Sequence, residues 1–447
     1  MKVLLGVSNF GKISKAEIEI GDFVLFVGQN NSGKTYMMQL IYGVLGALRD
    51  AHFQTLENVV FKDDTLELGE AWVHLFETQA NQYLKLNKEK IVFDIFHKHI
   101  KIEQLYIKFI DVDVEYRVVY KQRQQLLQLK GDEDGGSIEV RYLVTVAEKY
   151  RGNSEFQPVM EMVYAGNDLE QIISSVVQRL QGRILGVQHR DTMLFFPASR
   201  TGLLLLHKYF FSEKDSLVVR DFNREYVGAP SGNEFGLSTP VYDFLQFLLR
   251  HTTSAAIMEY NQELLKFIEK HLLDGQLIQQ GDDTFYSPNN SQERIPLYLS
   301  SSLINELAPI VKALSGSRSY RFLFYDEIET CMHPSKQGEM AKLMIRLVNS
   351  GRKLIVSTHS DTMALRLNNL FLMSQEADEN KLEKLGLTDA DILHDKDVHV
   401  YQFKNMQDGT SLVEEIKFRE VPRTGYDFEL FSKNLDELYK ECTIVME

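Results

Sequence analysis

The chain has 447 residues, 44% of them hydrophobic and 25% charged, a formal net charge of −14 and two cysteines, Cys331 and Cys442. The length leads us to expect about three domain-sized units with an ample core. Two cysteines exclude a disulfide framework and a cysteine zinc site, the acidic balance opposes a broad electrostatic grip on nucleic acid, and no apolar run approaches the ~20 residues that span a bilayer.

Met1-Lys2-Val3-Leu4-Leu5-Gly6-Val7 reads as a first strand. It is too short for the apolar core of a secretion signal, so a cytoplasmic location is expected. Phe23-Val24-Leu25-Phe26-Val27 gives another strand, Gly28-Gln29-Asn30-Asn31-Ser32-Gly33-Lys34-Thr35 a glycine-bounded loop, and Tyr36 to Tyr42 the start of a helix. Strand, loop and helix in this order are the context of a P-loop. The glycines let successive N–H groups turn inward on phosphate oxygens. The helix N-terminus favours an anion. Gly28, Asn30, Asn31, Ser32, Gly33, Lys34 and Thr35 are therefore the expected nucleotide cradle. Lys34 would reach the β- and γ-phosphates, and the Thr35 hydroxyl would hold Mg²⁺.

From about Arg49 a helical stretch leads into strands at Tyr116–Tyr120, Ile138–Val144 and Val159–Val163, whose period of two is that of half-buried antiparallel strands. Asp132-Glu133-Asp134-Gly135-Gly136 reads as a turn. Lys121, Arg123 and Lys130, and further on Lys149 and Arg151, are basic, but interleaved acids make a solvated face the favoured reading over a nucleic-acid groove. Leu169 to Leu185 is helical, with Ile172, Ile173, Val176 and Val177 on its apolar face. Thr201 to Ser317 is expected to be mainly helical, notably Val241 to Leu249 and Ile257 to Leu272.

Leu299-Ser300-Ser301-Ser302 opens a further helix. Its hydroxyls and N–H groups could bind an anion presented by another subunit, but taken by itself the segment is read in favour of an ordinary serine N-cap. Phe322-Leu323-Phe324-Tyr325 is an apolar strand that ends in Asp326-Glu327. Asp326 at the strand end can hold Mg²⁺, and Glu327 can accept a hydrogen bond from an attacking water. Ser335 is expected to cap a helix running to Val348. Lys353 to Thr358 is a third apolar strand, ending in His359.

These segments together resemble the ABC-type ATPases of the OLD, RecF and SMC branch. The resemblance lies in Asn30 to Thr35, Phe196-Pro197-Ala198-Ser199-Arg200, Leu299 to Ser302, Asp326-Glu327-Ile328-Glu329 with Met332-His333-Pro334, and Ser357-Thr358-His359-Ser360. It implies an α/β fold: a P-loop NTPase of ABC type with an antiparallel β subdomain and an inserted helical lobe. The implied division is 1–48 for the P-loop part, 49–190 for the antiparallel subdomain, 191–200 for a return strand, 201–317 for the helical lobe and 318–447 for the rest of the ATPase core.

The resemblance further implies ATP and Mg²⁺ as cofactors. Lys34, Glu327 and a switch histidine, His359, are the implied catalytic residues. Thr35 and Asp326 are the implied metal ligands, and Ser300, Ser301 and Ser302 the implied signature that meets the nucleotide of a partner subunit. It implies a self-associating, nucleotide-gated dimer, similar to ATPases of prokaryotic anti-phage systems that control a separate effector such as a nuclease. A RecF-like DNA clamp is the alternative. Two departures stand out: Ile328 takes the place of the usual Pro, and Ser301 and Ser302 stand where many relatives carry Gly. No Gln occupies the strand–loop before Arg200, which leaves Ser199 or Arg200 in its role, or Arg200 as a structural ion pair.

Beyond His359 the chain reads as a helix, a hairpin turning at Gln407-Asp408-Gly409-Thr410 and a last helix around Phe428 to Tyr439. Asp111-Val112-Asp113 is expected within a strand, and Thr388-Asp389-Ala390-Asp391 as a helix cap. Neither is followed by a nuclease-like pattern. His394, Asp395, Asp397 and His399 are metal-capable, with a polar surface turn as the favoured reading.

Overall fold

A computed structural model describes residues 2–53, 64–127, 137–150, 155–165, 169–187, 193–212, 236–281, 283–375, 378–420, 425–429 and 439–445. In chain order, β1 (Lys2–Phe10), β2 (Ile13–Ile20) and β3 (Phe23–Gly28) lead into α1 (Lys34–Asp50). β4 (Thr65–Leu68), α2 (Glu70–Phe96), β5 (Gln104–Ile110), β6 (Val114–Leu127), β7 (Ser137–Tyr150), β8 (Gln157–Ala165) and α3 (Leu169–Ile184) follow. Next come β9 (Met193–Phe196), α4 (Arg200–Ser212), α5 (Thr239–Leu249), α6 (Ala255–Tyr260), α7 (Gln262–Phe267) and a π-helical turn (Ile268–Leu273). β10 (Gly275–Gln280), β11 (Asp283–Pro288) and β12 (Ile295–Pro296) precede α8 (Ser302–Ser315) and β13 (Phe322–Tyr325). The chain continues through α9 (Pro334–Asn349), β14 (Lys353–Thr358), α10 (Asp361–Gln375), α11 (Glu379–Leu385), β15 (Val398–Asn405) and β16 (Ser411–Ile416).

The chain divides into two compact units: Met1–Gly6, Leu45–Lys88 and Leu105–His189 form one, and Val7–Val44, Glu89–Gln104 and Arg190–Glu447 the other. The first carries an antiparallel sheet in the order β4-β6-β7-β8. Its alternating residues Tyr116, Val118, Val144 and Val146 are buried, as are Ile172, Ile173, Val176 and Val177 of α3.

The second unit carries the strand order β2-β16-β15-β3-β14-β13-β9. From β15 to β9 all neighbours are parallel. Parallel strands covered on both faces read as continuous apolar runs, and every residue of β3, β9 and β13 is buried. Leu25 of β3 lies opposite Val356 on one side and Val400 on the other. Ligands bind such sheets beyond the carboxyl ends of the strands. The parallel neighbours β3, β14 and β13 deliver the P-loop, His359 and Asp326 to that one edge.

Four local expectations are corrected. Residues 275–296 hold the three-stranded sheet β10-β11-β12 inside the segment expected to be mainly helical. A left-handed Asp274 ends the preceding helix and a left-handed Gly281 turns the hairpin. The Ile257–Leu272 helix breaks at Asn261, whose side chain bonds Leu314 O at 2.8 Å and Arg352 at 2.6 Å. His333, not Ser335, caps α9, its side chain accepting from Ser335 N. Asp111–Asp113 is the connection between β5 and β6, with Asp111 at φ 53°, not a strand. The Gln407–Thr410 hairpin is present between β15 and β16. The turn expected at Asp132–Gly136, and residues 430–438 of the expected last helix, lie outside the described residues.

Candidate functional site

Backbone sterics shape the phosphate loop first. Gly28 has φ 144°, and a Cβ there would fall 2.2 Å from Phe403 O. Gly33 has φ 98°, and a Cβ would press on Ile13. Both positions demand glycine. Asn31 is also left-handed, at φ 56°. Lys34, the first residue of α1, is buried, and its Nζ donates to Gly28 O and Gln29 O at 2.9 Å each. Burial lowers its pKa to about 8, against the raising charges of Asp326, Glu327 and Glu329. An ammonium held this way against carbonyls, at a helix start without acidic residues, suits a polyphosphate.

The loop is braced from outside by residues that carry no local sequence signal. Asn405 at the end of β15 donates its N–H to Gln29 Oε1 at 3.2 Å and its amide to Asn30 O at 3.1 Å. Lys12 bonds Asn405 Oδ1 at 2.7 Å and also Asn31 O. Asn30 and Asn31 are exposed, while Ser32 is buried.

At the end of β13, Asp326 is buried and accepts from Thr35 Oγ1 at 2.8 Å and from Ser357 Oγ at 2.5 Å. Burial raises its pKa, and those two hydrogen bonds oppose the rise. The donor set is a hydroxyl beside a carboxylate, the hard oxygens that Mg²⁺ takes. Glu327 adopts φ 50°, the left-handed region that non-glycine residues rarely enter, and its N–H donates to Ser357 Oγ at 2.9 Å. Its carboxylate lies 3.3 Å from His359 Nε2. The hydrogen bond from His359 holds the Glu327 pKa below the usual carboxylate value, with the Lys34 charge adding to it against burial. His359 Nδ1 lies 3.3 Å from Lys34 Nζ. Lysine can only donate, so Nδ1 is the acceptor and Nε2–H donates to Glu327. Glu329 Oε1 fixes the turn by accepting from His359 N at 2.6 Å and Ser360 N at 3.1 Å. Ile328 N donates to Ser357 O at 3.1 Å, a bond that proline cannot make.

The serine segment forms the start of α8. Ser301 is its N-cap, accepting from Ile304 N at 3.4 Å, and Ser301 and Ser302 are exposed. Ser300 Oγ bonds Pro296 O at 3.1 Å. None of the hydrogen bonds among the described residues joins Ser300–Ser302 to Gly28–Thr35, Asp326, Glu327 or His359 of the same chain. Of the two readings of Arg200, the geometry selects the ion pair. Arg200 is 0% exposed, bonds Asp326 O at 2.7 Å and Glu327 O at 2.9 Å, and meets Glu306 of α8 at 2.5 Å. Ser199 is exposed.

Of the other metal-capable residues, Asp397 and His399 stay together, 3.1 Å apart, and the rest separate from them. Asp391 closes a capping box with Thr388 and pairs with Arg346 at 2.7 Å, so that segment is a cap as expected. His394 and Asp395 are exposed, whereas His399 is a buried strand residue and not part of a surface turn. Lys149 pairs with Glu115 at 2.8 Å. Lys130 and Arg151 lie outside the described residues. Among the described residues no helix is long and apolar enough to cross a membrane.

A family described as AAA ATPase domain matches residues 1–175 and 240–364. The chain therefore belongs to the AAA ATPase domain family, and the motifs above make it an ATPase-type nucleotide-binding protein. No curated protein matches it. Among solved structures it is similar to an Smc head bound to the C-terminal winged-helix domain of ScpA, at 12% identity and TM-score 0.38, covering 94% of this chain and 98% of that one. The SMC head domain from Thermotoga maritima is similar at 11% identity and TM-score 0.35, covering 93% and 100%. So is an Smc head with an extended coiled coil bound to the C-terminal domain of ScpA, derived from Pyrococcus furiosus, at 13% identity and TM-score 0.36, covering 98% of each chain.

Proposed function

We propose that this chain binds and hydrolyses ATP with Mg²⁺, and that ATP gates its self-association into a dimer. The observation that supports hydrolysis best is the contact of Thr35 with Asp326 at 2.8 Å, beside the Glu327–His359 pair at 3.3 Å. Bound Mg²⁺ would supply Lewis-acid stabilisation of phosphate charge. Thr35 and Asp326 hold it. Lys34 and the loop N–H groups neutralise charge on the phosphates. Glu327 is ionised at neutral pH and accepts a hydrogen bond or proton from water, and His359 orients its carboxylate. Ser301 and Ser302, exposed at a helix start, and the half-buried Ser300 before them complete the site from a second copy.

The biological reading is a cytoplasmic regulatory ATPase that controls a separate effector in anti-phage defence. It rests on the motif resemblance and on the net charge of −14, which disfavours a DNA clamp. A protein effector that co-purifies supports it, whereas ATPase stimulation by duplex DNA contradicts it.

Complementation tests the composite site. Lys34→Ala and Ser300→Arg should each lose ATP turnover. A mixed dimer has one site with both lesions and one with neither, so mixing should restore partial activity. Heterodimers that form without any restored turnover would contradict independent composite sites.

A further inference from the structure

Away from the phosphate loop, a buried histidine sits among carboxylates on the same sheet. His399 lies on β15, Glu19 on β2, Glu415 on the intervening β16 and Asp397 just before β15. His399 Nε2 is 3.1 Å from Asp397 Oδ2 and 3.2 Å from Glu19 Oε1. The ligand atoms of these three residues all lie within 4.8 Å of one another. On the other side of the ring, Nδ1 faces Glu415 Oε1 at 2.9 Å. His399 is 8% exposed. Glu19, Asp397 and Glu415 are half-buried, which leaves a route from solvent.

Two carboxylates converge on one ring nitrogen, with the three ligand atoms grouped about a common point. The carboxylates repel each other at this separation. A dication satisfies both at once. The Glu415 contact on Nδ1 is the arrangement that fixes tautomer and ring orientation in metal-binding histidines. One imidazole nitrogen with two carboxylate oxygens suits a zinc-class ion, whereas Mg²⁺ and Ca²⁺ prefer oxygen alone. We propose that Glu19, Asp397 and His399 bind a divalent transition-metal ion of the zinc class, with Glu415 as the outer partner of the imidazole. This position is separate from the Mg²⁺ position at Thr35 and Asp326. The ion ties β2 to β15, and β15 runs on to Asn405, which braces Gln29 and Asn30 of the phosphate loop.

The test uses the full chain, stripped with chelator and dialysed against Zn²⁺ without nucleotide, with bound zinc measured by mass spectrometry. One equivalent is expected in the wild type and also in Asp326→Asn, which removes the loop position. His399→Gln should lose it. Glu415→Gln keeps all three ligands and should weaken binding by roughly 10–100-fold, a readout that survives if His399→Gln does not fold. X-ray absorption should show nitrogen and oxygen ligands at about 2.0–2.2 Å and no sulfur. Absence of stoichiometric zinc in the wild type, sulfur ligation through Cys331 or Cys442, or full binding in either folded variant would overturn the proposal.

Discussion

The Arg200 guanidinium and the Glu306 carboxylate meet at 2.5 Å where neither is open to solvent. Thr201 Oγ1 also donates to Glu306 at 2.5 Å, and Arg200 stacks over Tyr325 at 4.6 Å. The same guanidinium bonds the carbonyls of Asp326 and Glu327. One side chain therefore ties the serine-capped helix α8 to the backbone that carries the Asp326 and Glu327 carboxylates. A shift of α8 would be felt at Glu327.

Breaking that pair from one side leaves a buried charge uncompensated. Arg200→Met should destabilise the chain by about 3–5 kcal/mol. Replacing both, as Arg200→Met with Glu306→Leu, should cost clearly less than the two single changes added. Urea unfolding of the four proteins measures this, and strict additivity would contradict the coupling.

Ile328→Pro removes the N–H that donates to Ser357 O and a buried side chain. It also places proline directly after Glu327, whose φ of 50° sits badly before a proline ring. The change should destabilise this chain by at least about 1–3 kcal/mol and reduce turnover. A melting temperature equal to the wild type would contradict this reading of the turn.

His251 gives a pH signature outside the nucleotide site. Burial lowers its pKa to about 4, helped by the Lys312 charge, while its hydrogen bond to Lys312 O opposes the drop. Against an ordinary value of 6.5, the unfolded chain binds the proton first as pH falls. The stability of the neutral form is thus complete above about pH 6.5 and declines toward pH 4, by at most about 1.4 kcal/mol per pH unit. His251→Gln should flatten the decline in melting temperature between pH 7 and pH 5. Identical slopes would exclude His251 as its source.

The phosphate loop, Asp326, Glu327 and His359 were legible because each lies at the end of an apolar run, and local pattern alone places them at one edge of the sheet. Arg200 was ambiguous because its partner Glu306 sits on a helix far along the chain. Lys12 and Asn405 were not legible, since they reach the loop only after β15 pairs with β3. Short, glutamine-rich β10 concealed a strand in a helical neighbourhood. Glu19 and Glu415 join His399 through strand order, which no local spacing records.

Glu327→Gln keeps the shape of the carboxylate but cannot take a proton, so it should bind ATP and slow hydrolysis by roughly two to four orders of magnitude. The ATP-bound form then accumulates. Sedimentation of this variant with Mg²⁺, with and without ATP, tests nucleotide-gated self-association most directly. The account predicts a monomer without ATP and a dimer with it, and a mass unchanged by saturating ATP would contradict it.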